Sequence, residues 1–440
     1  MHLTTDLSAP HDGKTMATRP IDAPHEPPGW QVEDQCPQCG APCLLEETDR
    51  LLVCPYCKTR LHLSAPDFFE YCLPPRGSLS ETEILQVPYW RFRGLTFSRG
   101  PEGVHCGIVD TSLAALHHTF LRPSLGLKAQ VLRLRFAKAG TGVKFLRPDL
   151  PMETALQRIQ GQQDLVARVT AAGPICDQAF VGETLSVIYV PHVFRQDSLY
   201  DAVLERPLHC DRAGELQELL AHGERQVGKV SFLSALCPDC GWDLEAERES
   251  TILLCRNCDS AWDAVHGAFQ RRPFRLAQGK EGDLYLPFWR FRADIQGIDL
   301  RCGPDPGRFV NLSHAAQQRK DGNEACWWIP AFKVRPDLFL KVARRMTVFQ
   351  PEEPLQAHLG GASLHPVTLP AAEAQEALRF LVLQFAAPRS PALPGPKEMD
   401  IQTLDFQLVF LPFVQTGSEV IQEKARLGIH RNALQYGRKL

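Results

Sequence analysis

The stretch CPQCG at residues 36–40 is followed by CPYC at residues 54–57, with 14 residues between Cys39 and Cys54. The same pattern recurs 201 residues later as CPDCG at residues 237–241 and CRNC at residues 255–258. Each CxxC turn directs two sulfurs at one ion, and two such turns complete a four-sulfur site. The spacing therefore predicts two metal-bound ribbons, with ligands Cys36, Cys39, Cys54, Cys57, Cys237, Cys240, Cys255 and Cys258.

The chemistry of this ligand set favours zinc. Four thiolates in a tetrahedral arrangement suit Zn²⁺, with Zn–S distances of about 2.3 Å. Iron in a rubredoxin-like site is the alternative, but the 14-residue arm is short for a rubredoxin, so we predict two zinc ions. Four protein ligands leave no position for a catalytic water, which predicts structural sites. We expect Cys54→Ser to destabilise the first ribbon and to leave the second intact.

The residues around the cysteines indicate how each ribbon folds. Gly40 and Gly241 follow the first CxxC turns, where a positive φ is often needed. The apolar segments 51–53 and 252–254 precede the second turns and are predicted to form the returning strands. Cys43 is a candidate fifth ligand, but at the 201-residue offset it aligns with Leu244, which favours apolar packing. The cysteines outside the CxxC pairs, such as Cys106, are interpreted as buried small apolar residues.

The internal repeat extends beyond the cysteines. VPYWRFR at residues 87–93 matches LPFWRFR at residues 286–292, and IYVPHV at residues 188–193 resembles VFLPFV at residues 409–414. Residues 109–112 also resemble residues 310–313. The order is kept while the offset grows from 199 to 221, which indicates a tandem duplication with insertions in the second copy. The proline-rich residues 386–396 are predicted to be one such insertion, a surface loop.

The fold class that follows is α+β, with two tandem copies of a four-cysteine zinc ribbon and an antiparallel-sheet domain with covering helices. One face of each sheet is expected to be buried. The predicted domains are a disordered arm (1–30), zinc ribbon 1 (31–65), α+β domain 1 (66–214), a connecting helix or linker (215–231), zinc ribbon 2 (232–265) and α+β domain 2 (266–440).

Composition and charge limit the class of protein. The chain has 440 residues, of which 44% are hydrophobic and 22% charged, values typical of soluble globular proteins. Its net charge of −3 gives no overall bias toward nucleic acid or acidic membranes. The polar N-terminus lacks the apolar core of a signal peptide, and no apolar stretch is long enough for a membrane span. We predict a protein that is not integral to a membrane. We place it in the cytoplasm, because thiols stay reduced there and can hold metal.

The arginine–aromatic strands have two interpretations. Arginines between aromatic residues can stack bases and bind phosphates, and candidate nucleic-acid or partner contacts are Tyr89, Arg91, Arg93, Arg290 and Arg292. The other interpretation is a core strand whose tryptophan is buried and whose arginines pair with carboxylates. Similarly, residues 424–440 are basic without an acidic residue, which is typical of a phosphate-binding tail or of a solvated helix face.

In their CPxCG and CxxC motifs, the ribbons resemble bacterial relatives of the transcription-factor-IIB-type zinc ribbon. The ribbon followed by the PYW or PFW strand resembles a family of uncharacterised bacterial zinc-ribbon proteins, some named as helicase-like or primosome-like. The resemblance implies metal binding and a ribbon fold. It does not imply a helicase motor, because the chain has no GxxxxGK(S/T) loop: GERQVGK at residues 223–229 has the spacing, but Val230 stands where the motif requires Ser or Thr.

No catalytic motif accompanies the metal sites: HExxH, GxSxG and a strand-linked GxGxxG are absent from the sequence. We therefore predict no catalytic residues and a non-enzymatic zinc-binding adaptor or assembly factor that binds another protein. The alternatives are a nucleic-acid-binding protein that uses the ribbons and the arginine–aromatic strands, and an iron-binding redox protein. The sequence predicts neither the partner nor the oligomeric state.

Overall fold

The computed structural model describes residues 30–77, 84–100, 103–126, 132–139, 143–159, 177–195, 198–208, 213–296, 326–385 and 400–437. Residues 1–29 of the predicted arm and the predicted insertion at 386–396 lie outside the described residues. Trp30, which the prediction places in the arm, is buried beside Val32, so the folded part begins at least one residue earlier than expected.

The described chain is mostly sheet, with few helices. Strands β1 to β12 are Gln31–Gln35, Pro42–Glu46, Leu51–Val53, Arg60–Ser64, Phe69–Cys72, Ile84–Gly100, Gly103–Ala114, Arg135–Phe136, Lys144–Phe145, Asp177–Arg195, Ser198–Asp201 and Arg206–Pro207. Strands β13 to β24 are Ser231–Ser234, Ile252–Cys255, Ser260–Val265, Ala268–Arg272, Phe274–Ala277, Leu284–Gln296, Trp327–Pro330, Leu355–Gln356, Ser363–Leu364, Asp400–Thr416, Glu419–Gln422 and Leu427–His430.

The helices are α1 (residues 152–159), α2 (Ala213–Ala221), α3 (Pro336–Phe349), α4 (Ala371–Phe385) and α5 (Arg431–Tyr436). Helix α3 shows how local sequence sets its ends. Pro336 occupies the first turn, where its missing N–H costs no hydrogen bond, and Asp337 complements the helix dipole. The helix ends at Gln350, which has a φ of 49° and donates its backbone N–H to Met346 O. None of the helices described here is long and apolar enough to cross a membrane.

Two eight-stranded sheets dominate the fold, and their strands pair in the same order and sense. Sheet 1 is built on the antiparallel pair β6–β10 and sheet 2 on the antiparallel pair β18–β22. In both sheets a long strand bearing the tryptophan lies between its central partner and a shorter antiparallel strand, β7 or β19. The residue of β22 that pairs with Trp289 lies 221 positions after the residue of β10 that pairs with Trp90. This is the offset that the sequence showed between these two strands.

The sheets differ from the antiparallel architecture that we predicted in two respects. Strand β5 runs parallel to β10 and β17 runs parallel to β22, so both sheets are mixed. Sheet 1 is also buried on both faces: Tyr89 packs with ribbon 1, whereas Trp90 packs with α1. The ribbon covers the face that was expected to meet solvent, which strand alternation alone does not reveal.

One alignment from the sequence does not match the observed register. The strand beside β18 is β19, where Ile329 pairs with Trp289, just as Leu113 pairs with Trp90. Residues 310–313, the predicted equivalent of residues 109–112, lie outside the described residues.

The two halves share a hydrophobic core. The outer end of β6 places Leu95 and Phe97 in the core of the second half. The ring centroid of Phe97 lies 6.0 Å from that of Phe339 and 5.7 Å from that of Phe380. Aromatic pairs at these separations add to the stability gained by burial alone. The halves are therefore joined by packed side chains as well as by the chain between them.

Candidate metal centres

The eight predicted ligands form two four-cysteine clusters. Within each cluster all four sulfurs lie within 4.8 Å of one another. The closest pairs are Cys36–Cys57 at 3.8 Å, Cys39–Cys54 at 3.6 Å, Cys237–Cys258 at 3.5 Å and Cys240–Cys255 at 3.5 Å. A tetrahedral site with metal–sulfur bonds of about 2.3 Å has sulfur–sulfur edges of about 3.8 Å. Both clusters therefore fit one tetrahedral metal ion each.

Three of the four CxxC turns, those that begin at Cys36, Cys54 and Cys237, are held by the same backbone hydrogen bond. The first cysteine of a turn accepts a bond from the residue four positions later, as in Gly40 N–H to Cys36 O at 2.8 Å and Lys58 N–H to Cys54 O at 3.1 Å. That residue has a positive φ in all four turns: 73° at Gly40 and Gly241, 63° at Lys58 and 51° at Asp259. The prediction for the two glycines is confirmed, and the second turns use the same conformation without glycine.

Backbone N–H groups favour ionised sulfur at the centre of each cluster. Burial opposes ionisation of Cys54, but hydrogen bonds from Cys57 and Tyr56 N–H lower the pKa of its thiol to about 6. Cys237 is affected in the same way by Cys240 and Asp239 N–H, and the pKa of its thiol is also about 6. The thiolate is the form that binds metal, so the turns prepare Cys54 in the first cluster and Cys237 in the second for a cation.

A hydroxyl residue lies two positions after the last ligand of each cluster. Thr59 Oγ1 is 3.2 Å from Cys57 Sγ, and Ser260 Oγ is 3.0 Å from Cys258 Sγ. Ser260 Oγ in turn accepts a hydrogen bond of 2.8 Å from Trp262 Nε1. Such outer contacts orient metal ligands and tune their charge. We did not predict these two residues, although their equal spacing in both copies was a usable signal.

Cys43 lies outside the four-cysteine cluster. Its side chain is buried, and its Sγ donates to Ala41 O at 3.6 Å. Burial raises the pKa of this thiol to about 11. Leu244, the aligned residue of the second ribbon, is fully buried. Cys106, by contrast, is exposed, so the prediction that it is buried is wrong.

The two ribbons are interlocked. Strand β13, which leads into the second ribbon, pairs with β4 of the first ribbon in the sheet β13–β4–β3. Leu51 of ribbon 1 belongs to the hydrophobic cluster that contains Cys237 and Cys255 of ribbon 2. Arg248 O also accepts hydrogen bonds from Arg50 N–H at 2.6 Å and Leu51 N–H at 2.8 Å. The predicted boundary between residues 231 and 232 thus falls inside a strand that belongs structurally to both ribbons.

His62 lies buried between the ribbons, and acidification is expected to destabilise the protein through it. Its Nε2 is 3.3 Å from Ser250 O, and burial lowers the pKa of its ring to about 4 from the model-peptide value of 6.5. The unfolded chain therefore binds more protons between these values. Stability is complete above about pH 6.5 and falls as the pH drops toward 4, by up to about 3 kcal/mol.

Urea unfolding at a series of pH values tests this prediction. The difference between the wild-type and His62→Phe profiles isolates the His62 contribution from that of the thiols. His266 is exposed, so His266→Asn is the control and should keep the wild-type dependence of stability on pH. A His62→Phe profile parallel to that of the wild type from pH 4 to 6.5 would contradict the prediction.

The second ribbon is also attached to sheet 2. The Arg256 guanidinium donates to Gly360 O at 2.7 Å and to Ala362 O at 3.0 Å. Asp259 Oδ2 lies 2.7 Å from His358 Nδ1, and Asp259 Oδ1 accepts from Leu359 N–H at 2.8 Å. The second CxxC turn of this ribbon is therefore held against the loop that precedes β21.

The arginine–aromatic residues are mostly engaged within the protein. Arg91 is 2% exposed and forms two hydrogen bonds to Glu47, which is 1% exposed. Arg93 lies 3.4 Å from the same carboxylate, and Tyr89 is buried. Arg290 donates to Gln407 Oε1, and the exposed Arg292 pairs with Asp405. These contacts correspond to the core-strand interpretation and give a nucleic acid little to bind. We did not predict Glu47, because its aligned residue, Arg248, has the opposite charge.

No family model matches the chain, and neither do curated proteins or solved structures. The resemblance to bacterial zinc-ribbon proteins therefore stays a prediction. What can be said of function depends on the clusters and on the surfaces around them.

Proposed function

We propose that this protein is a non-enzymatic, zinc-stabilised scaffold that binds another protein, as an adaptor or assembly factor. The observation that carries the proposal is the closure of both metal sites. Four cysteine sulfurs surround each one, which leaves no open position for a substrate or a catalytic water. Metal ions in such sites stabilise structure, so the activity of the protein would lie in the surfaces that they hold in place.

The proposal includes an origin by tandem duplication of one ribbon-plus-sheet module. The shared order and sense of strand pairing in the two sheets support it. Each tryptophan of the long strands also donates its Nε1 to an equivalent carbonyl: Trp90 to Leu150 O and Trp289 to Leu369 O, both at 2.8 Å. Two copies of one module would share such a buried indole hydrogen bond, whereas two unrelated sheets give no reason for it.

The proposed cofactor is one zinc ion per cluster. The sulfur geometry accommodates either zinc or iron, and the choice decides between a structural and a redox role. Elemental analysis of the purified protein should give about two zinc ions per chain and a colourless solution. A coloured protein with iron in both clusters would favour the redox alternative. Free thiols at all the described cysteines agree with the proposed cytoplasmic location.

Exposed aromatic residues on the ribbons are the proposed contacts to the partner. Tyr56, between the ligands Cys54 and Cys57, is 66% exposed, and Trp242, next to Gly241, is 62% exposed. Tyrosine and tryptophan are enriched among the residues that contribute most to protein interfaces. A closed metal site fixes the turn that carries each ring, so little conformational entropy is lost when a partner binds.

The test is an affinity purification of the metal-loaded protein with quantification of co-purified proteins. The wild type is expected to retain a stoichiometric protein partner, and Tyr56→Ser with Trp242→Ser to lose at least about 90% of it. Tyr436→Ser, which removes an exposed aromatic side chain from α5, is the matched control and should keep the partner. Absence of a stoichiometric partner with the wild type would count against an adaptor. Retention of a nucleic acid that is released steeply by salt would favour the nucleic-acid alternative.

A further inference from the structure

A basic cavity in the second half is separate from both metal centres. It has a volume of about 630 Å³ and lies between α3, the end of α4 and the start of β24. Its lining includes Asp337, Lys341, Arg344, Arg345, Gln384 and Arg426. Four of them are basic and one is acidic, whereas the whole chain has a net charge of −3. The net charge of the cavity lining is therefore positive, opposite in sign to that of the whole chain.

Three of the four basic side chains come from one face of α3. Lys341, Arg344, Arg345 and Val348 recur at the three- and four-residue spacing of a helix face. The opposite face, including Phe339, Val342 and Met346, is buried in the core. The cavity therefore has a rigid wall, because the helix that presents the charges is anchored on its other side.

Two further contacts organise the cavity. Arg345 Nε donates to Ala425 O at 2.8 Å, which holds its guanidinium against the turn that carries Arg426. In that turn Arg426 has a φ of 49° and donates its N–H to Glu423 O. Arg426 was part of the basic segment noticed in the sequence, and the fold brings it next to the basic face of α3.

A buried acceptor without a partner lies on the other side of the cavity. Gln384 Oε1, near the end of α4, is buried and has no hydrogen-bond partner. Such an acceptor costs free energy unless a donor reaches it. The carbonyl end of a helix favours donors as well. The cavity therefore carries positive charge on its α3 side, and its α4 side contributes the uncharged Gln384.

We propose that this cavity binds a small ligand that carries a phosphate group, with the phosphate on the basic face of α3 and Arg426. Guanidinium groups match phosphate oxygens in geometry and charge, and several cations that converge on one point favour the two charges of a single phosphate group over the one charge of each carboxylate. The volume lies in the range of small-molecule sites, about 300–1,000 Å³, and is too small for a nucleic-acid duplex. This site is independent of the proposed adaptor surface.

Isothermal titration calorimetry of the full-length, metal-loaded protein tests the proposal, with ribose 5-phosphate, inorganic phosphate and succinate as probes. We expect ribose 5-phosphate to bind and succinate to bind at least about tenfold more weakly. Equal affinity for ribose 5-phosphate and inorganic phosphate would support the site and identify free phosphate as its ligand.

Charge reversal locates the site. Lys341→Glu with Arg426→Glu is expected to weaken phosphate binding by at least about 100-fold, because like charges then face the ligand. Both side chains are exposed, so the variant should fold. Lys280→Glu with Arg206→Glu makes the same change of charge at exposed positions outside the cavity and should bind as the wild type does. No binding by the wild type at millimolar concentrations, equal affinity for succinate, or equal losses in both double variants would overturn the proposal.

Discussion

Cys54→Ser is expected to remove the metal ion of the first cluster and to weaken metal binding at the second, although it removes a ligand from only one. Binding of zinc to a structural site contributes about 10–16 kcal/mol of apparent free energy in peptide ribbons, and this energy is folding energy. Loss of one of the four thiolates should therefore unfold ribbon 1, including the strands β3 and β4 on either side of its second CxxC turn. The sequence alone predicted that the damage would stop there.

The interlocking of the ribbons gives the reason for a wider effect. Strand β4 lies between β3 and β13, and Ala235, two residues before the ligand Cys237, donates its N–H to Arg60 O at 3.0 Å. If ribbon 1 unfolds, β13 loses its pairing partner and Leu51 leaves the cluster that covers Cys237 and Cys255. The second cluster keeps its four sulfurs but loses part of the structure that positions them.

The measurement is zinc content against increasing concentrations of a chelator. Wild type should retain about two zinc ions, and Cys54→Ser at most one, which is released at a chelator concentration at least about tenfold lower than in the wild type. Cys43→Ala, a buried thiol outside the cluster, is the matched control and should hold both ions. A second ion held as tightly in Cys54→Ser as in the wild type would show that the ribbons fold independently.

The part of the site that the sequence could predict is the part determined by local chemistry. The CxxC spacing identified all eight sulfurs, and the repeat alone was enough to set Cys43 aside through its alignment with Leu244. The returning strands were predicted within one residue, since β3 covers residues 51–53 and β14 covers residues 252–255. These features depend on short-range geometry that a sequence displays directly.

What the sequence could not predict are contacts between elements far apart in the chain. Nothing in residues 231–234 indicates that they pair with β4 and not within their own ribbon. The hydrophobic Phe97 reads as an ordinary strand residue, yet it packs against Phe339 and Phe380 of the other half. Alternation along β6 correctly separated Trp90 from Arg91, but it could not tell that a ribbon covers the arginine face.

That covered face leads to the second large effect: Arg91→Met is expected to destabilise the protein by about 3–5 kcal/mol. Arg91 Nη2 lies 2.7 Å from Glu47 Oε1, and Nε lies 3.2 Å from Oε2, so the pair is bidentate and shielded from water. Removing one partner of a buried ion pair leaves an uncompensated charge, which costs far more than the pair itself contributes. Arg93, 3.4 Å from Glu47, compensates only in part.

The aligned arginine of the second sheet provides the control. Arg290 donates to the neutral Gln407 Oε1 at 2.9 Å, so Arg290→Met removes a hydrogen bond without stranding a buried charge and should cost about 1 kcal/mol. Urea unfolding of the metal-loaded proteins measures the change in the free energy of unfolding for both variants. Similar losses in the two variants would mean that the ion pair does not anchor the ribbon to the sheet.

The double variant Arg91→Met with Glu47→Leu separates the charge from the contact. If the destabilisation comes from a stranded carboxylate, removing Glu47 as well should restore most of the lost stability, because apolar residues often replace a buried pair at little cost. Asp110, which also contacts Arg91, is 44% exposed and can be solvated once the arginine is gone. If the double variant is instead as unstable as Arg91→Met alone, the ribbon is held by the shape of the arginine side chain and not by its charge.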